Sequence, residues 1–168
     1  MKLSGSLIKA FLIFPLNVMG IIPALLVWNF RSGKILENFP YIFNSARTFS
    51  GLLLIAVGSV LCWKTISVFT EFGEGTPAPF DPPKKLVTQG PYFYTRNPMM
   101  AGVWLVLAGE TLLFGSVALG VWLMFFLMFC LILIPVWEEP DLERRLGEPY
   151  REYKQRVPRW IPYISLKK

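Results

Sequence analysis

Four long apolar blocks constrain this chain more than any other feature of its sequence. They cover residues 7–28, 49–69, 99–114 and 117–137. A helix needs about 17–25 mostly apolar residues to cross a bilayer, where its backbone polar groups must be satisfied within the segment. The third block is the shortest, and Pro15 and Pro23 are expected to kink the first block without ending it. The blocks predict an all-α, polytopic membrane protein with about four transmembrane helices.

The composition agrees with lipid as the solvent. Of the 168 residues 54% are hydrophobic and only 17% are charged, which is more apolar than a soluble domain usually is. The absence of histidine excludes imidazole-based catalysis and histidine metal sites. Cys62 and Cys130 lie inside apolar blocks, so we expect buried or lipid-facing thiols and no metal site. The net charge of +6 indicates anionic lipid head groups, and no nucleic-acid partner is predicted.

The connection between the last two blocks fixes much of the topology. It consists only of Gly115-Ser116, so these blocks are predicted to form a tight antiparallel hairpin. With four crossings, both termini and the second connection share one side of the membrane. That side carries most of the Lys and Arg residues, including those from Arg144 onward, so the positive-inside rule predicts that it is cytoplasmic.

We divide the chain into parts of a single membrane-embedded domain. Residues 1–69 are assigned to the first two transmembrane helices, 70–98 to a cytoplasmic loop, 99–137 to the hairpin and 138–168 to a C-terminal cytoplasmic helical segment. Many Pro and Gly residues exclude a continuous helix in the loop, but apolar residues such as Val87 and Tyr92 favour a structured loop over a linker.

The C-terminal segment shows helical spacing of apolar residues. These residues are Leu142, Leu146, Tyr150, Tyr153 and Val157. The pattern predicts short amphipathic helices lying against the membrane face, with Gly147 ending one helix and Pro149 in the first turn of the next.

Two polar clusters are expected to meet at the cytoplasmic face. Residues 90–98 precede the third span, and Glu138-Glu139 follow the fourth. Because the two spans form a hairpin, their carboxylates and tyrosines converge on a pocket that suits a positively charged, partly aromatic small molecule. The alternative is that Glu138-Glu139 only caps a helix and balances nearby arginines.

Glu110 is the acidic residue of the third span. An ionisable group at that depth is costly, which makes it a candidate for function. The structural alternative is that Glu110, lying close to Gly115-Ser116, reaches the opposite interface.

Several short motifs occur in a fixed order along the C-terminal half. They are LVTQGPY at 86–92, RNPMMAG at 96–102, EE at 138–139, GEPY at 147–150 and RVP at 156–158. In this order, from about residue 84 to 162, the sequence resembles the isoprenylcysteine carboxyl methyltransferase family and, more loosely, the membrane phospholipid N-methyltransferases.

The resemblance implies S-adenosylmethionine-dependent methyl transfer to an amphiphilic acceptor. That acceptor is the carboxylate of a prenylcysteine-like compound, or a lipid or small apolar nucleophile. The implied catalytic residues are Arg96, Glu138 and Glu139. The implied cofactor-binding residues are Lys84, Lys85, Leu86, Val87, Tyr92, Asn97, Pro98, Met99, Met100 and Glu138. We expect Tyr92, Arg96, Asn97 and Glu138 to matter most.

The sequence departs from the family pattern at three positions. Asn97 replaces the family's usual His, and Met100 replaces its Tyr. Ile134 stands where eukaryotic members carry an Arg that is thought to hold the substrate carboxylate, which puts a carboxylate acceptor in doubt.

Two other functions stay open at this point. One is an NADPH-dependent membrane reductase of the sterol reductase type, for which Lys84, Lys85 and Arg96 offer some support, although the Glu pair would repel phosphates. The other is a non-catalytic membrane scaffold or transport subunit.

Overall fold

The computed structural model describes residues 15–30, 45–73 and 84–161, and these residues form helices and turns. The first part of the first apolar block and most of the Pro-rich half of the loop lie outside the described residues. The elements are a π-helical turn Asn17–Ile21 leading into α1 (Ile22–Phe30), α2 (Ser45–Phe72), a 3₁₀ turn Gly90–Phe93, α3 (Pro98–Phe114), α4 (Val117–Leu133), a π-helical turn Ile134–Glu138, α5 (Glu139–Leu146) and α6 (Glu148–Arg156).

Two helical stretches are long and apolar enough to cross a membrane. They are Ala46–Phe72, and Val117–Leu146, in which α4 continues through the π turn into α5. Two further apolar helices, Asn17–Phe30 and Pro98–Phe114, are shorter. The all-helical prediction is therefore confirmed for the described residues, and two membrane spans are supported by length and composition. The helix α2 also reaches Phe72, so residues 70–72, assigned above to the loop, are helical.

Both π turns end two residues before a proline. The N–H of Ile22, which precedes Pro23, donates to the carbonyl of Asn17, and the N–H of Glu139, which precedes Pro140, donates to the carbonyl of Ile134. A proline has no N–H with which to continue the helical ladder, and a local π turn takes up the irregularity without ending the helix. The prediction that Pro23 does not end the first block is confirmed.

A two-residue turn joins α3 to α4, as predicted. Gly115 adopts φ 60° and ψ 28°, in the left-handed region that favours glycine. Ser116 caps α4, because its side-chain oxygen accepts a hydrogen bond of 3.4 Å from the N–H of Leu119. We call this end of the helical bundle the turn face.

Four glycines bring α2 and α3 into close antiparallel contact. A Cβ atom placed on Gly58 would lie 2.6 Å from the carbonyl oxygen of Gly102, and one placed on Gly109 would lie 2.6 Å from the carbonyl oxygen of Gly51. Small residues at matching positions let two helix backbones approach closely in a membrane, where packing drives association. We call this contact the glycine seam.

The helix α1 packs beside α3 and α4 and runs in the same direction as α3. Val18 packs in the core with Leu107 and Phe126, and its carbonyl accepts a 3.2 Å hydrogen bond from the indole N–H of Trp122. At its other end, Trp28 borders a cavity with Phe114, the last residue of α3. This segment therefore runs from the middle of the bundle at Val18 toward the turn face at Trp28. Residues 84–98 and 134–161 gather at the end of the bundle opposite the turn face. We call that end the loop face.

The glycine seam generates a stability prediction. Gly58→Ala places a methyl group against the backbone of α3, and such overpacking costs about 1–3 kcal/mol. We expect the midpoint of thermal unfolding in detergent to fall by several degrees. Gly120→Ala is the matched control, because its Cβ would lie 3.5 Å from the Thr111 methyl group in ordinary contact, and alanine is the better helix former. Equal midpoints for the two variants would contradict the seam.

Candidate active site at the loop face

The two polar clusters predicted to converge do meet at the loop face. Nη1 of Arg96, from the segment before α3, lies 2.8 Å from Oε1 of Glu139, at the start of α5. The hydroxyl of Tyr153, on α6, donates a 2.6 Å hydrogen bond to the backbone carbonyl of Tyr92. The short α3–α4 turn brings the start of α3 and the end of α4 to the same face, and these contacts join them.

Glu139 is the centre of a buried ion cluster. Only 2% of the residue is exposed, and both of its carboxylate oxygens accept hydrogen bonds of 2.8 Å from Nε and Nη2 of Arg159. Arg96 forms the second ion pair, and Nζ of Lys154 lies 3.9 Å from Oε2. A buried carboxylate is tolerated only when it is paired in this way. Since its oxygens are occupied, this arrangement suits Glu139 to a positioning role.

Glu138 differs sharply from its neighbour. The residue is exposed and forms no hydrogen bond or ion pair within the described ranges 15–30, 45–73 and 84–161. The acidic doublet thus divides into one paired, internal carboxylate and one that is open to a ligand.

Buried phenols surround the doublet. Burial raises the pKa of Tyr92 well above its ordinary value, and the nearby Glu138 adds to that shift. Burial also raises the pKa of Tyr150 to about 12, with further contributions from Glu139 and Glu138. These phenols stay protonated at neutral pH, so they can donate hydrogen bonds but do not serve as bases.

A C-terminal strap, residues 157–161, covers the start of α3. The backbone N–H of Arg96 donates to the carbonyl of Pro158 at 3.0 Å. The carbonyl of Arg159 accepts hydrogen bonds from the Thr95 hydroxyl at 2.9 Å and the Asn97 side-chain amide at 3.2 Å. The ring of Trp160 packs on Trp104, with centroids 4.8 Å apart. The Asn97 amide therefore holds the strap in place.

The described part of the loop is ordered against the end of α2. The backbone N–H groups of Lys84 and Lys85 donate to the carbonyl of Gly73 at 2.9 and 3.3 Å. Val87 is buried, and the ring of Tyr92 lies 5.6 Å from that of Phe69. The side chains of Lys84 and Lys85 are exposed.

Leu86 and Val87 lie in a stretch without regular secondary structure before the 3₁₀ turn. Their backbone N–H groups form no hydrogen bond with any residue in the described part of the chain. Unpaired backbone groups of this kind are able to bind a polar ligand.

The remaining predicted cofactor residues form the floor of the site. Pro98 and Met99 are buried in the first turn of α3, where the carbonyl of Met99 accepts a 3.7 Å contact from the Cys62 thiol. The sulfur of Met100 lies 3.8 Å from that of Cys130. Both cysteines are buried free thiols. Of the two predicted placements, buried or facing lipid, the structure shows the first.

Ile134 also belongs to this floor. It is 2% exposed and packs in the core with Phe126 and Cys130. The position where the resembling enzymes carry an arginine is therefore part of an apolar wall.

Sequence reasoning missed Arg159, Lys154 and the strap. Arg159 lies outside any helix, between Pro158 and Trp160, and no periodicity marks it. The residue that could have indicated a partner is Glu139 at the start of α5. A glutamate that faces the bundle needs a positively charged partner, and in the structure Arg159 is such a partner.

Comparison with known proteins identifies one family. The family model for phospholipid methyltransferase matches residues 46–149, which is more than half of the chain and includes α2 to α5 and the start of α6. Members of this family are membrane-bound methyltransferases. A search of curated proteins finds no match.

The ion cluster generates a first prediction for this site. Glu139→Gln leaves Arg96 and Arg159 without their counter-charge, and breaking a buried ion pair costs about 3–5 kcal/mol. We expect a large fall in the thermal unfolding midpoint. We also expect faster proteolytic cleavage of the C-terminal segment that follows residue 140. Glu148→Gln is the control, because its ion pair with Arg151 is exposed and contributes little. If both variants unfold at the same temperature, Glu139 is not the centre of the cluster.

The tyrosine contact generates a second prediction. Tyr153→Phe leaves the carbonyl of Tyr92 without its donor, which costs about 1–3 kcal/mol for a buried group. Hydrogen–deuterium exchange of residues 84–97 should then become faster. Tyr94→Phe, which changes a half-exposed phenol on the same segment, should leave this exchange unchanged. Equal exchange in Tyr153→Phe and wild type would show that the contact does not hold the loop.

Proposed function

Because the chain belongs to the phospholipid methyltransferase family, we propose that it transfers a methyl group from S-adenosylmethionine to an amphiphilic acceptor at the loop face. The observation that carries the proposal is the meeting of residues 84–98 with the acidic doublet over the end of the α3–α4 hairpin. The family match covers these elements together and favours methyl transfer over a reductase or a non-catalytic scaffold.

The unpaired polar groups of the site fit the methyl donor. Nε of Arg96 is buried and has no hydrogen-bond partner among the residues described, while the Glu138 carboxylate is exposed and unpaired within the same ranges. A donor and an acceptor of opposite charge match the carboxylate and ammonium groups of an amino acid. The free backbone N–H groups of Leu86 and Val87 match the hydrogen-bond acceptors of a nucleoside. We therefore assign these four residues to the methyl donor.

S-Adenosylmethionine supplies a methyl group on a sulfonium, an electrophile that is activated before it binds. The protein then has to hold two reactants in line and exclude water. The pairing of Arg96 and Arg159 with Glu139 fixes the loop and strap around the site. Glu138 balances the positive charge of the donor.

Glu138 is also the residue we assign as the base when the acceptor is an ammonium group that must lose a proton. Tyr92 and Tyr150 are unsuited to that role, because burial raises the pKa of both. The oxygens of Glu139 are held by Arg96 and Arg159.

The acceptor we favour is a lipid or small apolar nucleophile. Ile134 is buried in an apolar wall, Lys154 and Arg159 are already paired with Glu139, and the free Nε of Arg96 is assigned to the methyl donor. These residues therefore offer no unpaired positive charge to an acceptor carboxylate, and burying a carboxylate without a partner is costly. A prenylcysteine-like carboxylate is the second candidate, supported by the motif order that resembles the isoprenylcysteine carboxyl methyltransferases.

The membrane topology belongs to the same proposal. We place four helices across the bilayer, with α1 and α3 as its shorter spans, and the loop face and both termini in the cytoplasm. The parallel course of α1 and α3 and the basic residues of α5, α6 and the loop support this orientation. The hairpin then carries the site at the cytoplasmic surface, where an amphiphile can enter from the side.

Glu138→Gln tests the proposal. We expect about tenfold weaker binding of S-adenosylmethionine, the loss that follows from removing one charge contact of about 1.4 kcal/mol. S-Adenosylhomocysteine lacks the sulfonium charge. If Glu138 pairs with the ammonium group, the variant should lose as much affinity for this compound as for S-adenosylmethionine. If Glu138 pairs with the sulfonium, the loss of affinity should be smaller. Calorimetry on detergent-purified protein measures both affinities.

Glu152→Gln, on the exposed side of α6, is the matched control and should bind both compounds like the wild type. Wild-type protein that binds neither compound would defeat the proposed function. If Glu138→Gln and the wild type bind both compounds with equal affinity, Glu138 does not contact the methyl donor.

A further inference from the structure

A cavity lies at the opposite end of the bundle from the proposed methyl-transfer site. It has a volume of about 500 Å³ and lies between α1 and the turn end of α3. Its lining includes Met19, Pro23, Trp28, Glu110 and Phe114. This volume is in the range of cavities that bind small organic molecules, about 300–1,000 Å³.

Glu110 is the acidic group of this cavity. Its Oε2 atom is buried and has no hydrogen-bond partner among the residues described. A carboxylate within an apolar helical bundle is costly unless a cation or hydrogen-bond donor compensates it. The carboxylate thus lines a cavity large enough for a ligand that could supply the missing charge.

The rest of the cavity wall selects among cations. Trp28 and Phe114 contribute aromatic rings and are 79% and 51% exposed, so the cavity opens at the bundle surface. Met19 and Pro23 add apolar surface. Aromatic rings beside one carboxylate favour an alkylated ammonium group, through cation–π attraction and charge pairing, over a strongly hydrated metal ion.

The mouth of the cavity also accommodates an apolar chain. Ile21, at the end of the first π turn, and Leu25, on α1, lie beside the cavity-lining residues and are 44% and 54% exposed. In a bilayer these side chains face lipid, so a hydrocarbon chain can lie along α1 while its head group enters the cavity.

We propose that this cavity binds the alkylammonium head group of a membrane amphiphile, with Glu110 as its counter-ion and Trp28 as its aromatic wall. This site is separate from the loop face and needs no methyl donor. Its occupant is held in the leaflet at the turn face, where it fills a gap between α1 and α3.

Native mass spectrometry in an uncharged detergent tests the proposal, with dodecyltrimethylammonium as the probe and no S-adenosylmethionine present. Wild-type protein should retain one tightly bound probe. Glu110→Gln should weaken its binding about tenfold, and Trp28→Leu severalfold. Glu71→Gln, an exposed glutamate near the other end of the bundle, is the matched control and should bind like the wild type. Dodecyl sulfate, with the same chain and opposite charge, should not be retained.

Two results overturn the proposal. One is an unchanged probe affinity in both Glu110→Gln and Trp28→Leu; Trp28→Leu by itself decides the matter if Glu110→Gln does not fold. The other is a loss of binding in Glu138→Gln in place of Glu110→Gln, which would move the cation to the loop face. Since no methyl donor is used, failure here leaves the proposed methyl transfer standing.

Discussion

The paired carboxylate of Glu139 holds together three segments that are far apart in the sequence. It accepts hydrogen bonds from Arg159 in the C-terminal strap and forms an ion pair with Arg96 before α3, while itself beginning α5. A buried charge of this kind is stable only when all its partners are in place. The loop, the end of the hairpin and the C-terminus are therefore expected to assemble as one unit.

The helices beneath this cluster set its position. The glycine seam brings α2 so close to α3 that Phe69, near the end of α2, lies against Tyr92 in the loop. The tight turn at Gly115 returns α4 to the same face, and the π turn before Glu139 lets the helix continue into α5 without a break. Helix packing within the apolar bundle and ion pairing at the loop face thus support the same site.

The two adjacent glutamates lie in different environments. Glu139 is enclosed and neutralised, and Glu138 stays exposed beside the phenols of Tyr92 and Tyr150. One carboxylate is thus paired with arginines, and its neighbour is the one that we propose to pair with the positive charge of the methyl donor. A helix makes this possible because adjacent residues point about 100° apart around its axis, toward the bundle for one and away from it for the other.

Much of the fold could be predicted from the sequence, because apolar blocks and a two-residue connection leave few alternatives. The hairpin, the convergence of residues 90–98 with the doublet, and the break between α5 and α6 at Gly147 all follow from local patterns. The different roles of Glu138 and Glu139 could not be predicted, since neighbouring residues of one type differ only in what the fold places beside them. Arg159 was hidden in irregular backbone. The glycine seam was visible in retrospect, because Gly51 and Gly58 on α2 have the same spacing as Gly102 and Gly109 on α3.

We propose that the loop and the acidic doublet enclose a methyl donor together. Ultraviolet cross-linking of radiolabelled S-adenosylmethionine to the purified protein, followed by identification of the labelled peptides, shows which residues lie beside the donor. We expect label in peptides that contain residues 84–97 and 134–140, and we expect this label to disappear when unlabelled S-adenosylhomocysteine is added. Label confined to α1 or to the turn face, or label that unlabelled compound does not displace, would contradict it.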